Sequence, residues 1–286
     1  MGRTLKDEVS QKTCQDNLVK ARGIGLKLDR LLCVVFQSYS GSICYSEKRV
    51  FKMSHHVTFI SLGPGDPELI SLKGLKSLQA ADFIFCPSTS MPSGKTSSRA
   101  SDILVELGVD QSKLILFDVP MSKDRSLAID SYRRVSDEIA SLYQKGNEIV
   151  VTAEGHAGFY SSSYYIEEDL RARGILTRQI AGIPAFIACG ALANMHIVKQ
   201  EEELNVIPGV ISFEQLASKL KTNTALVIMK ASQCESVIKQ AIAEIQNMTI
   251  HYFENVGVAG KEFYTQDKSE ILARKFPYFS LIIIQQ

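Results

Sequence analysis

From residue 57 onward the apolar and polar positions switch regularly between two periods. Residues 57–62 form a short apolar run closed by Gly63 and Pro64, which predicts a buried strand. Behind Gly63-Pro64-Gly65-Asp66-Pro67, leucines at 69, 72, 75 and 78 recur every three residues. This spacing predicts a helix capped by Asp66 with Pro67 in its first turn. Strands follow at 81–86, 113–119 and 148–152. Helices are predicted at 98–107 and along Ala128, Tyr132, Val135, Ile139 and Leu142, where Gly146 ends the second. Strands that alternate with helices run parallel with right-handed crossovers, so residues 54–155 predict an α/β domain.

The alternation persists further on. Helices are predicted at 160–173, after Pro184, at 213–220 and at 235–245, with strands at 179–181, 206–207 and 225–229. Residues 251–256 and 279–284 are strand-like but have no long helix between them, which predicts antiparallel closure. Residues 1–52 carry no such pattern. Their short apolar stretch, 31–36, starts too late and lacks a small-residue cleavage site, so they are expected to be a leader outside the domains, with the functional start at Met53.

Composition narrows the partners. Of 286 residues, 32 are Lys or Arg and 31 are Asp or Glu, so a net charge of +1 supplies no general field for nucleic acid or an anionic membrane. No apolar run approaches the length of a membrane-spanning helix. The six cysteines show no paired spacing, which predicts no metal site and no disulfide framework and points to a reducing, cytoplasmic setting.

Three segments carry candidate chemistry. The Gly63–Pro67 turn lies between a first parallel strand and its helix, where a ligand meets backbone N–H groups at the carboxyl edge of a sheet. Glu68 stands where a dinucleotide fingerprint needs its third glycine. Ser93-Gly94-Lys95-Thr96 imitates a phosphate loop, yet Thr89 replaces the leading glycine, so Lys95 and Arg99 are read as carboxylate-binding groups beside a cleft or as a solvated helix start. Glu154-Gly155-His156-Ala157-Gly158 follows the fourth strand at the same sheet edge. A loop histidine that packs or hydrogen-bonds is favoured over a base or a metal ligand at His156, and helix packing over a ligand contact at nearby Tyr160.

The run Ile60-Ser61-Leu62-Gly63-Pro64-Gly65-Asp66-Pro67-Glu68-Leu69-Ile70 resembles the opening motif of the tetrapyrrole methylases, S-adenosylmethionine (SAM) enzymes of corrin and sirohaem synthesis. Glu154-Gly155, Gly182-Ile183-Pro184-Ala185-Phe186, Val206-Ile207-Pro208-Gly209, Val227-Ile228-Met229-Lys230 and Tyr278-Phe279-Ser280-Leu281 follow in that family's order. Residues 120–124 and 94–104 most resemble the methylases that act on C20 of precorrin-2 or cobalt-factor II. The resemblance implies a two-domain α/β fold of the class III SAM methyltransferase type. It has a parallel sheet in an N-terminal domain (53–157), a mixed sheet in a C-terminal domain (158–286) and the active site in the cleft between them. A tetrapyrrole substrate and a homodimer are implied as well. Carried over by position, Gly63, Pro64, Gly65, Asp66, Pro67, Glu154, Gly155, His156, Pro184, Ala185, Met229 and Val258 line the SAM site; Lys95, Arg99 and Tyr160, not carried over from the family, are the candidates for contact with the substrate. No catalytic base is assigned. The family's Gly-Asp-Pro is Gly155-His156-Ala157 here, and Pro184-Ala185 replaces a small hydroxyl residue. A methylase of another ring position, of the uroporphyrinogen type, and a non-catalytic binding protein are the alternatives.

Overall fold

Two twisted sheets organise the protein, seen in a computed structural model that describes residues 55–90, 96–120, 125–220 and 223–286. The expected leader (1–52), Lys95 and residues 121–124 lie outside the described residues. Strands of the first sheet are β1 (Val57–Ser61), β2 (Phe83–Ser90), β3 (Thr96–Ser97), β4 (Leu114–Asp118), β5 (Ile149–Ala153) and β6 (Thr177–Ile180). Helices α1 (Leu72–Ala80), α2 (Arg99–Glu106), α3 (Arg125–Gln144) and α4 (Tyr164–Ala172) connect them. The parallel order is β4-β2-β5-β1-β6, with β3 paired antiparallel to the end of β2. Every residue of β1 and β5 is buried, which explains why both read as unbroken apolar runs rather than alternating ones.

This order places a switch point in the sheet. From β1 the chain crosses over β5 to reach β2, whereas from β5 it crosses over β1 to reach β6, so the loops leaving these two neighbours diverge. A crevice at the carboxyl ends of β1 and β5 is the consequence, and open α/β sheets bind ligands in such a crevice.

The second sheet contains β7 (Glu203–Ile207), β8 (Thr224–Met229), β9 (Thr249–Glu254), β10 (Phe263–Thr265) and β11 (Ser280–Gln285), in the order β10-β9-β11-β8-β7. β7 and β8 are parallel and the other pairs antiparallel, as the closing strands predict. Its helices are α5 (Ala185–Leu192), α6 (Phe213–Lys219), α7 (Glu235–Glu244) and α8 (Lys268–Ala273). Leu226, Ile228, Tyr252 and Ile282 pack with α6, α7 and α8 on one face. Val227, Phe253, Leu281 and Ile283 pack with Phe186 and Cys189 of α5 on the other. Residues 55–286 cluster as one compact unit.

Three boundaries differ from the sequence expectation. The helix after the Gly-Pro-Gly loop is split. Asp66 caps a single 3-10 turn, Pro67–Leu69, and Ser71 restarts the chain as N-cap of α1, which leaves Leu72 66% exposed. Tyr160 lies outside α4 because its φ is +50°. The first sheet also reaches past residue 157. β6 is an edge strand whose polar Thr177, Arg178 and Gln179 give little apolar signal, yet it pairs with β1 through Ile180.

Candidate functional site

The loops leaving β1 and β5 are joined directly. Gly63 and Gly155 exchange backbone hydrogen bonds, 3.1 Å from Gly63 N–H and 2.7 Å from Gly155 N–H. Both need φ near +70 to +80°, which glycine adopts without a steric penalty. Gly182, just past β6, lies against the same place. A Cβ there would come within 2.9 Å of the Ser61 carbonyl oxygen and 3.1 Å of that of Gly155. Three glycine-bearing segments thus meet at the switch point. A Cβ on Gly155 would meet nothing within 4 Å, so open space borders this loop.

Gly65 carries the second sheet's contact. A Cβ on it would run into Nη2 of Arg99 and come within 2.9 Å of the Gly257 carbonyl oxygen, while a Cβ on Gly257 would lie 2.9 Å from the backbone nitrogens of Gly65 and Asp66. The Gly63–Pro67 loop therefore docks backbone to backbone on the turn after β9. Sequence reading gave this loop to a ligand; at Gly65 the space is taken by protein.

Arg99, in the first turn of α2, fastens that junction. Its Nη2 donates to the carbonyls of Pro64 (2.8 Å) and Val256 (3.2 Å), and its guanidinium lies 4.5 Å from the centre of the Phe279 ring. Nε is buried without a hydrogen-bond partner. Glu154 faces this cation, and burial raises its carboxyl above the ordinary range, with Arg99 opposing that rise and Asp102 of α2 adding to it. The Glu154 carboxyl makes no hydrogen bond or ion pair with another described residue.

Beside Arg99 lies a cavity of about 90 Å³, bordered by Pro64, Ala185, Met229, Phe253 and Val256 and roofed by Tyr278 and Phe279. Three residues expected at the SAM site, Pro64, Ala185 and Met229, thus converge on one recess. Val258 sits in the adjoining turn, where its N–H bonds Asn255, and Val256 borders the cavity instead. Pro184 is the N-cap residue of α5. Asp66 spends one carboxylate oxygen on the Glu68 N–H at 2.9 Å.

His156 behaves as a turn residue. Its Nδ1 accepts from the Gly158 N–H at 2.9 Å, the bond an aspartate in that place would make two residues on. The neutral ring then carries its proton on Nε2. Tyr160 is half-exposed, packs edge-on against Phe159 and donates to the Val206 carbonyl at 3.4 Å, away from the cavity. Lys230 stands in the Val227–Lys230 motif but is not among the residues expected at the site. It borders the cavity from a left-handed backbone conformation (φ +52°) that no sequence pattern announces. Tyr278 and Phe279 were read as part of a motif but not as a wall of the site. Cys189 also borders the recess, and burial keeps it a protonated thiol.

The profile of a family described as Tetrapyrrole (Corrin/Porphyrin) Methylases matches residues 56–271. The chain is 27% identical over 229 residues to a precorrin-2 C(20)-methyltransferase of Sinorhizobium sp., covering 79% of this chain and 93% of that protein. It is also 27% identical over 191 residues to a probable cobalt-precorrin-2 C(20)-methyltransferase of Methanocaldococcus jannaschii, with 66% and 79% covered. Among solved structures, a cobalt precorrin-4 methyltransferase superposes with a TM-score of 0.61 at 16% identity, over 82% of this chain and 97% of its own. A uroporphyrin-III C-methyl transferase from Thermus thermophilus, complexed with S-adenyl homocysteine, does so at 0.56 and 13% identity, over 81% and 97%.

Proposed function

Since the chain belongs to the tetrapyrrole (corrin/porphyrin) methylases, we infer that it transfers the methyl group of SAM to C20 of precorrin-2 or cobalt-factor II in corrin synthesis. The observation that carries this reading is the convergence of Pro64, Ala185 and Met229, from three separate segments, on one apolar recess beside the switch point. At about 90 Å³ the recess would take only part of SAM: its apolar wall suits the flat nucleoside base, and the charged end would lie beyond it along the polar backbone of the turn. Pro64, Ala185, Met229 and Phe253 would hold the nucleoside. The Gly63–Gly155 junction and Glu154 would border its charged part, where the negative field of Glu154 suits a sulfonium.

Bound there, SAM supplies an already activated methyl group. What remains for the protein is alignment, since the electron-rich meso carbon of a reduced tetrapyrrole is itself a nucleophile. The docking of Gly65 on Gly257 and the Arg99 clamp hold the site's two halves at a fixed separation, which is the rigidity that alignment requires. We place the change from one domain to the other at residues 181–184, between β6 of the first sheet and α5 of the second. A homodimer belongs to the same reading, and exposed Ile187 and Leu192 of α5 are apolar residues that it would cover. Free, buried Cys86, Cys189 and Cys234 support a reducing cytoplasm.

Precorrin-2 and cobalt-factor II incubated in parallel with protein and SAM test the reading by mass spectrometry. One methyl group added to either substrate is the expected result. Unchanged mass for both would refute it.

A further inference from the structure

Methylation at a meso carbon that bears hydrogen forms one carbon–carbon bond and breaks the methyl–sulfur bond, whose electron pair stays on sulfur. The carbon then holds both methyl and hydrogen. Restoring the conjugated ring requires that hydrogen to leave as a proton, its bonding pair returning to the ring. A base near the carbon speeds such a step by about 100-fold or more.

Each candidate at the switch point can be weighed by its hydrogen bonds. His156 has no lone pair to offer in its neutral form, because Nδ1 accepts from Gly158 and Nε2 holds the proton. Asp66 has an oxygen committed to the 3-10 turn. Cys189 is kept as a thiol by burial, and the Tyr160 hydroxyl is turned toward Val206. Glu154 differs from all of these. It directly follows β5 and adjoins Gly155, whose Cβ direction is open, and its carboxyl has no hydrogen-bond partner among the described residues. Among the described residues, the charged groups that act on it are Arg99 and Asp102, both from α2.

Resting on the function proposed above, we propose that Glu154 is the catalytic base: its carboxylate takes the meso proton of the methylated acceptor and passes it to solvent through the open side at Gly155. Arg99 has a positioning role, keeping the carboxylate charged enough to act. Burial opposes that charge, so the carboxyl titrates above an ordinary glutamate and is poised both to take the proton and to release it.

The same chemistry runs without SAM. In D2O, protonated Glu154 delivers a deuteron to C20, forming a C–D bond, and the carboxylate then removes the original hydrogen as a proton. Full-length wild-type protein, Glu154→Gln and Glu154→Asp are to be incubated with precorrin-2 in D2O without SAM, and exchange at C20 followed by mass spectrometry. Wild type is expected to exchange well above free precorrin-2, Glu154→Gln about 100-fold more slowly, and Glu154→Asp in between. Calorimetry is expected to show that all three still bind SAM, Glu154→Gln more weakly because its side chain no longer carries the charge that faces the sulfonium, while Glu154→Asp keeps it. In wild type alone, kcat is expected to fall with decreasing pH through one ionisation displaced upward from that of a free glutamate. Exchange by Glu154→Gln at the wild-type rate, absence of wild-type exchange, or a kcat without that acid limb would each overturn the assignment. A wild-type protein that binds no SAM and yields no methylated product would instead overturn the function on which the assignment rests.

Discussion

At the level of single residues, Gly65 and His156 show how a sequence signal and its structural cause part company. The Gly-Pro-Gly-Asp-Pro turn was legible because glycine and proline announce a loop between strand and helix. What Gly65 faces was not, since Arg99 and Gly257 lie 34 and 192 positions away and the contact is made by backbone. Gly65→Val is expected to abolish measurable SAM binding, because its side chain would enter the space of Arg99 and the Gly257 carbonyl at a φ of +142°. His156→Ala removes a turn bond of the capping kind. About 1 kcal/mol of stability and less than about tenfold in turnover are the expected losses. Calorimetry and steady-state rates on both variants check the ranking, and a dead His156→Ala beside a SAM-binding Gly65→Val would reverse it.

Among the elements, β9 and the end of α8 are tied by charge. Arg274 donates to both oxygens of Glu254, 2.8 Å from Nε and 3.1 Å from Nη2, while Tyr252 donates to the same carboxylate at 2.6 Å. The guanidinium also lies 3.6 Å from the Phe263 ring centre. Burial alone would raise the Glu254 carboxyl, but these bonds hold it below the ordinary glutamate range. A carboxyl depressed on folding stabilises above its unfolded pKa, and the benefit is lost as pH falls through the folded value. Arg274→Met is therefore expected to cost about 2 kcal/mol near neutral pH and progressively less as the pH falls through the depressed folded value of Glu254. Urea unfolding across an acid pH series measures this, and a loss that stays constant down to acid unfolding would contradict it.

Elements were readable in proportion to their burial. β1 and β5, fully enclosed, read as apolar runs, and the antiparallel end was visible in the absence of a long helix between β9 and β11. β6 gave little apolar signal because an edge strand tolerates polar residues, and the break before α1 was hidden because Leu69, Leu72, Leu75 and Leu78 keep one three-residue spacing across it.

For the whole molecule, function resides in how the sheets are joined. Divergence of the chain after β1 and β5 opens a crevice, Gly63 and Gly155 close its floor, and Arg99 bonds the Pro64 loop of one sheet to the Val256 turn of the other. The motif order along the sequence identified the family, while the clamp and the aromatic roof of Tyr278 and Phe279 emerged only from the fold. The most direct test of methyl transfer to C20 is to supply SAM labelled with carbon-13 in its methyl group together with precorrin-2, and to locate the label in the product by NMR. A labelled methyl on C20 is the predicted result. A label on any other carbon, or none in the tetrapyrrole, would contradict it.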